Sequence, residues 1–143
     1  MTVRTILSAK GSDVVVIEPT ATLAAATRLM SEHRIGALVI LGAERRVTGI
    51  ISERDIVCAL AKHGAAALDH PVSQAMTREV MHCTADDTVA EVMSRMTAGR
   101  FRHLPVIEDG RMIGIVSIGD VVKERVEEIE SESEALRDYI RTA

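Results

Sequence analysis

Two stretches of this chain set a hydroxyl and a carboxylate three residues apart, behind a glycine and a β-branched pair. One reads Gly49-Ile50-Ile51-Ser52-Glu53-Arg54-Asp55. The other, 65 residues later, reads Gly114-Ile115-Val116-Ser117-Ile118-Gly119-Asp120. The β-branched pair marks the end of a strand, and Ser-x-x-Asp has the spacing of a box that opens a helix. Taken singly, each turn reads as a helix cap: the serine accepts from first-turn amides and the aspartate sits at the positive helix end. Repetition adds a second chemistry. Free amides at a helix start attract an anion, a hydroxyl can donate to phosphate, and a carboxylate can accept both hydroxyls of a ribose. Gly49 and Gly114 allow a close backbone or ligand approach. The pattern suits a ribose-phosphate cradle built twice, with two half-sites facing each other.

Composition narrows the classes. In 143 residues, 47% are hydrophobic, while Phe101 and Tyr139 are the only aromatics. The core is therefore aliphatic, and a bound base would lie against Ile, Leu, Val and Ala. Acidic residues outnumber basic ones 21 to 17. That balance opposes non-specific binding to nucleic acid or to an anionic membrane, so neither is expected as a partner. Cys58 and Cys83 form no CxxC and are expected to be reduced, buried and inert. No apolar run is long enough to span a bilayer, and no apolar signal core follows Arg4; a cytoplasmic location is expected. His33, His63, His70, His82 and His103 lack paired zinc spacing, so no metal is required. Neither a Walker loop, a complete dinucleotide fingerprint nor a nucleophile motif occurs, and the chain is not expected to be an enzyme. Asp86-Asp87 reads as helix-start charge rather than a catalytic pair.

The elements that must position the two turns are themselves repeated. Thr22 to His33 and Thr88 to Gly99 align as helices, and Val89, Val92, Met93 and Met96 form one buried stripe. Thr88 with Glu91 forms a capping box. Leu38-Val39-Ile40-Leu41 matches Leu104-Pro105-Val106-Ile107. Asp109-Gly110 predicts a tight hairpin in the second copy, where the first has Gly42-Ala43-Glu44-Arg45. The runs Val14 to Ile17 and Val80 to Cys83 predict a strand ahead of each helix. Each unit thus reads strand, helix, strand, hairpin, strand, helix, an α/β (α+β) fold of two tandem pseudo-symmetric repeats. The first repeat is assigned to residues 1–70 and the second to 71–126, with Gly64 to Thr77 as connector. Residues 127–143 extend the last helix: Val122, Val126, Ile129, Ser133, Leu136 and Ile140 follow 4-3-4-3-4 spacing among glutamates. This amphipathic stripe is expected to pair across a homodimer.

The duplicated Gly-apolar-apolar-Ser-x-x-Asp turn on such a unit resembles the CBS domain, two copies of which form a Bateman module. Arg34-Ile35-Gly36-Ala37-Leu38-Val39-Ile40 and Arg102-His103-Leu104-Pro105-Val106 share the resemblance, which runs from about Val3 to Val126. It implies an adenosyl ligand in the cleft between repeats: AMP, ADP, ATP or NAD(H), or alternatively S-adenosylmethionine. It also implies dimerisation into discs and regulation of a partner protein that the sequence does not name. Carried over by position, Asp55 and Asp120 would hold the ribose diols, and Ser52 and Ser117 would contact phosphate or ribose. The backbone at Gly36, Ala37 and Leu38, and at His103, Leu104 and Pro105, would line adenine edges. Thr20 and Thr84 would close the sites. The copies differ: Arg54 can add a phosphate contact to the first, while Arg100, Arg102 and His103 make the second the more anion-selective.

Overall fold

The computed structural model describes residues 1–11 and 14–142, and the chain divides into two compact units. One unit holds helix α1 (Val3–Lys10), His82–Ile107 and the chain from Ile113 onward. The other runs from strand β1 (Val16–Ile17) to Met81 and includes Glu108–Met112.

In the unit built on the first repeat, helix α2 (Leu23–His33) follows β1. Thr22 opens it by accepting from the Ala25 amide, and Arg34 ends it in the left-handed region. Strand β2 (Ala37–Leu41) then pairs in parallel with β1 and antiparallel with β3 (Val47–Ser52), giving the order β1-β2-β3. Helix α3 (Glu53–His63) starts directly from β3. Leu23, Ala26 and Met30 on one face of α2 pack with Leu38, Ile40, Ile51 and Ile56. The expected connector is not a loose tether. Two short 3-10 turns, Gly64–Asp69 and Val72–Gln74, put Ala67 and Val72 fully into this core.

The second repeat supplies helix α4 (Val89–Gly99), strands β4 (His103–Glu108) and β5 (Arg111–Ser117), and helix α5 (Ile118–Thr142). The Thr88–Glu91 capping box is formed. Asp109 and Gly110 both take positive φ, as the predicted two-residue hairpin requires. Val89, Val92 and Met96 lie in one core with Leu104, Val106, Val116 and Val121. The extension predicted beyond the last motif helix is a continuous part of α5, with Val126, Ile129, Leu136 and Ile140 exposed.

Helix α1 was not predicted, and the sequence assigned its residues to the first repeat. Its buried side chains Val3 and Ile6 instead join the core of the second. The amides of Val3 and Arg4 donate to Asp87 and Ala85, and Met1 accepts from Val89. The same three bonds recur in the other unit: Val72 and Ser73 donate to Ala21 and Pro19, and His70 accepts from Leu23. Each repeat is thus completed by the segment that precedes the other repeat in sequence.

The strand predicted over Val80 to Cys83 shrinks to one parallel bridge, Cys83 to Val106. Cys83 donates to the Pro105 carbonyl and accepts from Ile107. The next bond of a parallel ladder would run from residue 105 to the Met81 carbonyl. Proline has no amide hydrogen to make it, so the pairing stops. Met81 is left 57% exposed.

Candidate functional site

Both Ser–Asp turns sit where an edge of regular structure ends and a helix begins. In the first, the Ser52 amide donates to Asp55 Oδ2 at 2.9 Å and the Asp55 amide donates to Ser52 Oγ at 3.3 Å. In the second, Ser117 donates to Asp120 Oδ2 at 2.9 Å and Asp120 donates to Ser117 Oγ at 3.1 Å. A carbonyl from the neighbouring strand region fixes each helix start. Gly36 accepts from Glu53, and Arg102 accepts from Ile118. The turn is therefore a true capping box in both copies, and each aspartate is folded back onto its own serine rather than projecting freely outward.

The two carboxylates differ in their remaining partner. Asp55 Oδ2 takes a second bond from the Ser52 hydroxyl, at 3.0 Å. Asp120 Oδ2 instead faces Lys10 Nζ at 2.6 Å, the last residue of α1, whose ammonium also donates to the Ile115 carbonyl at 3.1 Å. Burial pushes the Asp120 carboxyl up. Hydrogen bonds from Lys10 and from Ser117 outweigh it and leave the group below its ordinary 3.8. His103 is held below its ordinary 6.5, first by burial, then by the charges of Lys10 and Arg102, with Asp120 partly opposing. Its ring is therefore neutral at neutral pH.

The glycines that open the motifs are packed against different neighbours. A Cβ on Gly49 would lie 2.9 Å from the Thr77 carbonyl oxygen and 2.5 Å from Met76 Sδ; on Gly114 it would lie 2.6 Å from Leu7 Cδ2. Both glycines make room for the protein's own chain, through the two segments exchanged between repeats.

Around the first turn, Gly36 and Ala37 are half-buried and Leu38 is fully buried, while Thr20 and Arg54 are exposed. Asp55 also lines a cavity of about 240 Å³ with Lys62, His63 and His70. Around the second, Leu104 and Pro105 are buried and Arg100 and Arg102 exposed. Arg34 and Arg100 share a structural duty, as left-handed residues ending α2 and α4. Thr84 is committed within its own turn: its amide donates to Asp87 Oδ2 at 2.9 Å, and Arg95 holds the same oxygen at 2.9 Å. Asp87 is thus a turn former with an ion-pair partner, as helix-start charge predicts.

Sequence reasoning missed Lys10. Its partner lies 110 residues away, and no local pattern marks the contact. The cysteines divide. Burial, then Asp87, with Arg95 opposing, pushes the Cys83 thiol up to about 12, leaving it inert. Cys58 is exposed, against the expectation of a buried thiol, because it lies on the outer part of α3. Among the described residues no cluster of three metal-ligating side chains forms.

The family model for the CBS domain matches the chain twice, at residues 3–62 and 72–127, so that each match contains one Ser–Asp helix box. The chain belongs to the CBS-domain family and carries two copies of the domain. A CBS-domain protein of Agrobacterium tumefaciens has a similar structure: 47% identity, TM-score 0.81, covering 87% of this chain and 99% of that one. Among curated relatives, a 17.7 kDa protein of Acidianus ambivalens is 41% identical over 77% of this chain and 66% of its own length. The mitochondrial CBS-domain protein CBSX3 of Arabidopsis thaliana is 39% identical over 81% of this chain and 58% of its own. This chain thus spans less than two thirds of those two relatives. Two more distant structures share the fold. One is a CBS pair in complex with 5-methylthioadenosine and S-adenosyl-L-methionine, at 24% identity and TM-score 0.73, covering 90% of this chain and 98% of that one. The other, CBSX2 in complex with AMP, is at 22% and 0.72, covering 80% and 89%.

Proposed function

We propose that the chain is a regulatory module that binds an adenosyl nucleotide, AMP, ADP, ATP or NAD(H), at its Ser–Asp turns and signals the binding to a partner protein. The observation that carries this reading is the duplicated box. Asp55 and Asp120 each stand one turn into a helix whose positive end favours an anion, within units that leave buried aliphatic strands beside them. Gly36, Ala37 and Leu38 supply the adenine edge of the first site, and His103, Leu104 and Pro105 that of the second. Arg54 serves the phosphate of the first, and Arg100 and Arg102 that of the second. Thr20 and Thr84 close the sites, Thr84 by exchanging Asp87 for ligand. Distant relatives bind AMP or S-adenosylmethionine, which supports the adenosyl class and leaves S-adenosylmethionine as the second reading.

The role is regulatory, not catalytic, and cytoplasmic. Ligand shifts a conformational equilibrium only through differential affinity for its two states. The exposed stripe on α5 serves a homodimer, with Val126, Ile129, Leu136 and Ile140 at its seam. Thermal melts with each adenosyl ligand test the reading, because a ligand of the native state raises the melting temperature. A rise with AMP that is lost in Asp55→Asn and Asp120→Asn together is expected. No rise with any adenosyl ligand would remove the proposal. Truncation after Arg125 tests the seam: light scattering is expected to show a monomer, and an unchanged dimer would refute it.

A further inference from the structure

We infer that Lys10 selects the ligand of the second turn, admitting phosphorylated nucleosides and rejecting uncharged ones. The inference rests on the adenosyl-binding reading above and deepens it.

A carboxylate that takes the two hydroxyls of a ribose side by side offers one oxygen to each. At each turn Oδ2 already holds two donors. In the first, one of them is the Ser52 hydroxyl, which leaves by rotation about a single bond. In the second, it is the Lys10 ammonium, at 2.6 Å. Releasing Asp120 therefore strands a charge. The Lys10 side chain is only 34% exposed, and the Ile115 carbonyl is its one other described partner. A neutral nucleoside offers nothing to replace the carboxylate. A nucleotide brings a phosphate one sugar ring away from the diol, within the swing of a lysine anchored at the end of α1. Phosphate then takes the ammonium as Asp120 gives it up, and the exchange of one charge-assisted bond for another is near balance. Arg102 stands exposed on the same unit as Lys10 and Asp120.

The test uses the full chain carrying Asp55→Asn, which confines diol binding to the second turn. Calorimetric titration with AMP and with adenosine gives the ratio of their affinities. In this background AMP is expected to bind roughly ten- to a hundredfold tighter than adenosine, the worth of a hydrogen bond to a charged group. Adding Lys10→Met, which keeps the alkyl stem, is expected to lower the ratio severalfold, to what Arg100 and Arg102 sustain without it, and Lys10→Arg to restore it. If Lys10→Met does not melt cooperatively, Lys10→Gln takes its place. Loss of fold would weaken both ligands together, so only the ratio counts. A ratio unchanged by the neutral variants overturns the inference and leaves the proposed function standing. Wild type that binds AMP while the Asp55→Asn chain binds neither ligand also overturns it. Wild type that binds no adenosyl ligand removes both.

Discussion

The two Ser–Asp turns are the same local structure placed in different electrostatic surroundings. The amide of each serine reaches its aspartate at 2.9 Å, and each helix start is tied to a strand-side carbonyl. What separates them arrives from outside the repeat. The first turn is backed by the polypeptide itself, since Ile50 and Thr77 exchange two backbone bonds at 3.0 and 2.9 Å. At the matching place in the second, Lys10 sends a side chain to the Ile115 carbonyl and on to Asp120. A duplicated sequence can thus keep one box twice and still have one copy backed by the chain itself, the other held by a releasable ion pair.

The glycines give the largest expected contrast. Gly49→Ala drives a methyl into a carbonyl that is already hydrogen-bonded and cannot retreat, at a cost of about 2–3 kcal/mol. Gly114→Ala meets only the tip of Leu7, which can turn aside, at about 1 kcal/mol. Urea unfolding of the two variants checks the order, and equal losses would show that the backing segments are equally stiff.

Removing the carboxylates comes next. Asp55→Ala loses the box, about 1 kcal/mol. Asp120→Ala loses the box and the Lys10 partner, about 2 kcal/mol. Thermal unfolding of both measures the gap, and Lys10→Met is expected to recover only the Lys10 share of the loss.

A smaller effect appears in acid. The folded Asp120 carboxyl lies below its ordinary 3.8, so its contribution is complete above that pH and fades as pH falls through the lowered value. The stability difference between wild type and Asp120→Asn should therefore be constant from pH 7 to about 5 and shrink below 3.8. A difference that grew in acid would reverse the assigned sign.

The smallest concerns the shortened strand. Pro105→Val restores the missing donor opposite Met81, as Val39 already provides in the first repeat. Hydrogen exchange is expected to find the new amide protected, with little change in overall stability.

The capping boxes, the Asp109-Gly110 hairpin and the α2 and α4 stripes were readable because each depends on residues within a few positions of one another. The Pro105 interruption was half readable: the missing donor is in the sequence, but which carbonyl it abandons depends on the register with Cys83. The exposure of Cys58 was not readable, because an apolar pattern on α3 does not say which side meets the core. Thr84 was singled out as a residue that closes a site; that its amide is held by Asp87, itself paired with Arg95, needed coordinates.

By itself the sequence determined that this protein has two like units, each ending in a Ser–Asp helix start, because periodicity, capping and turn chemistry are short-range. Only the tertiary structure decided which segment completes which unit, and with it the placement of α1 beside the second repeat and of Lys10 on Asp120. The choice depends on buried side chains and backbone bonds between residues far apart in the chain. Val3 and Val72 occupy matching places in their cores with no local signal to tell which core each will fill.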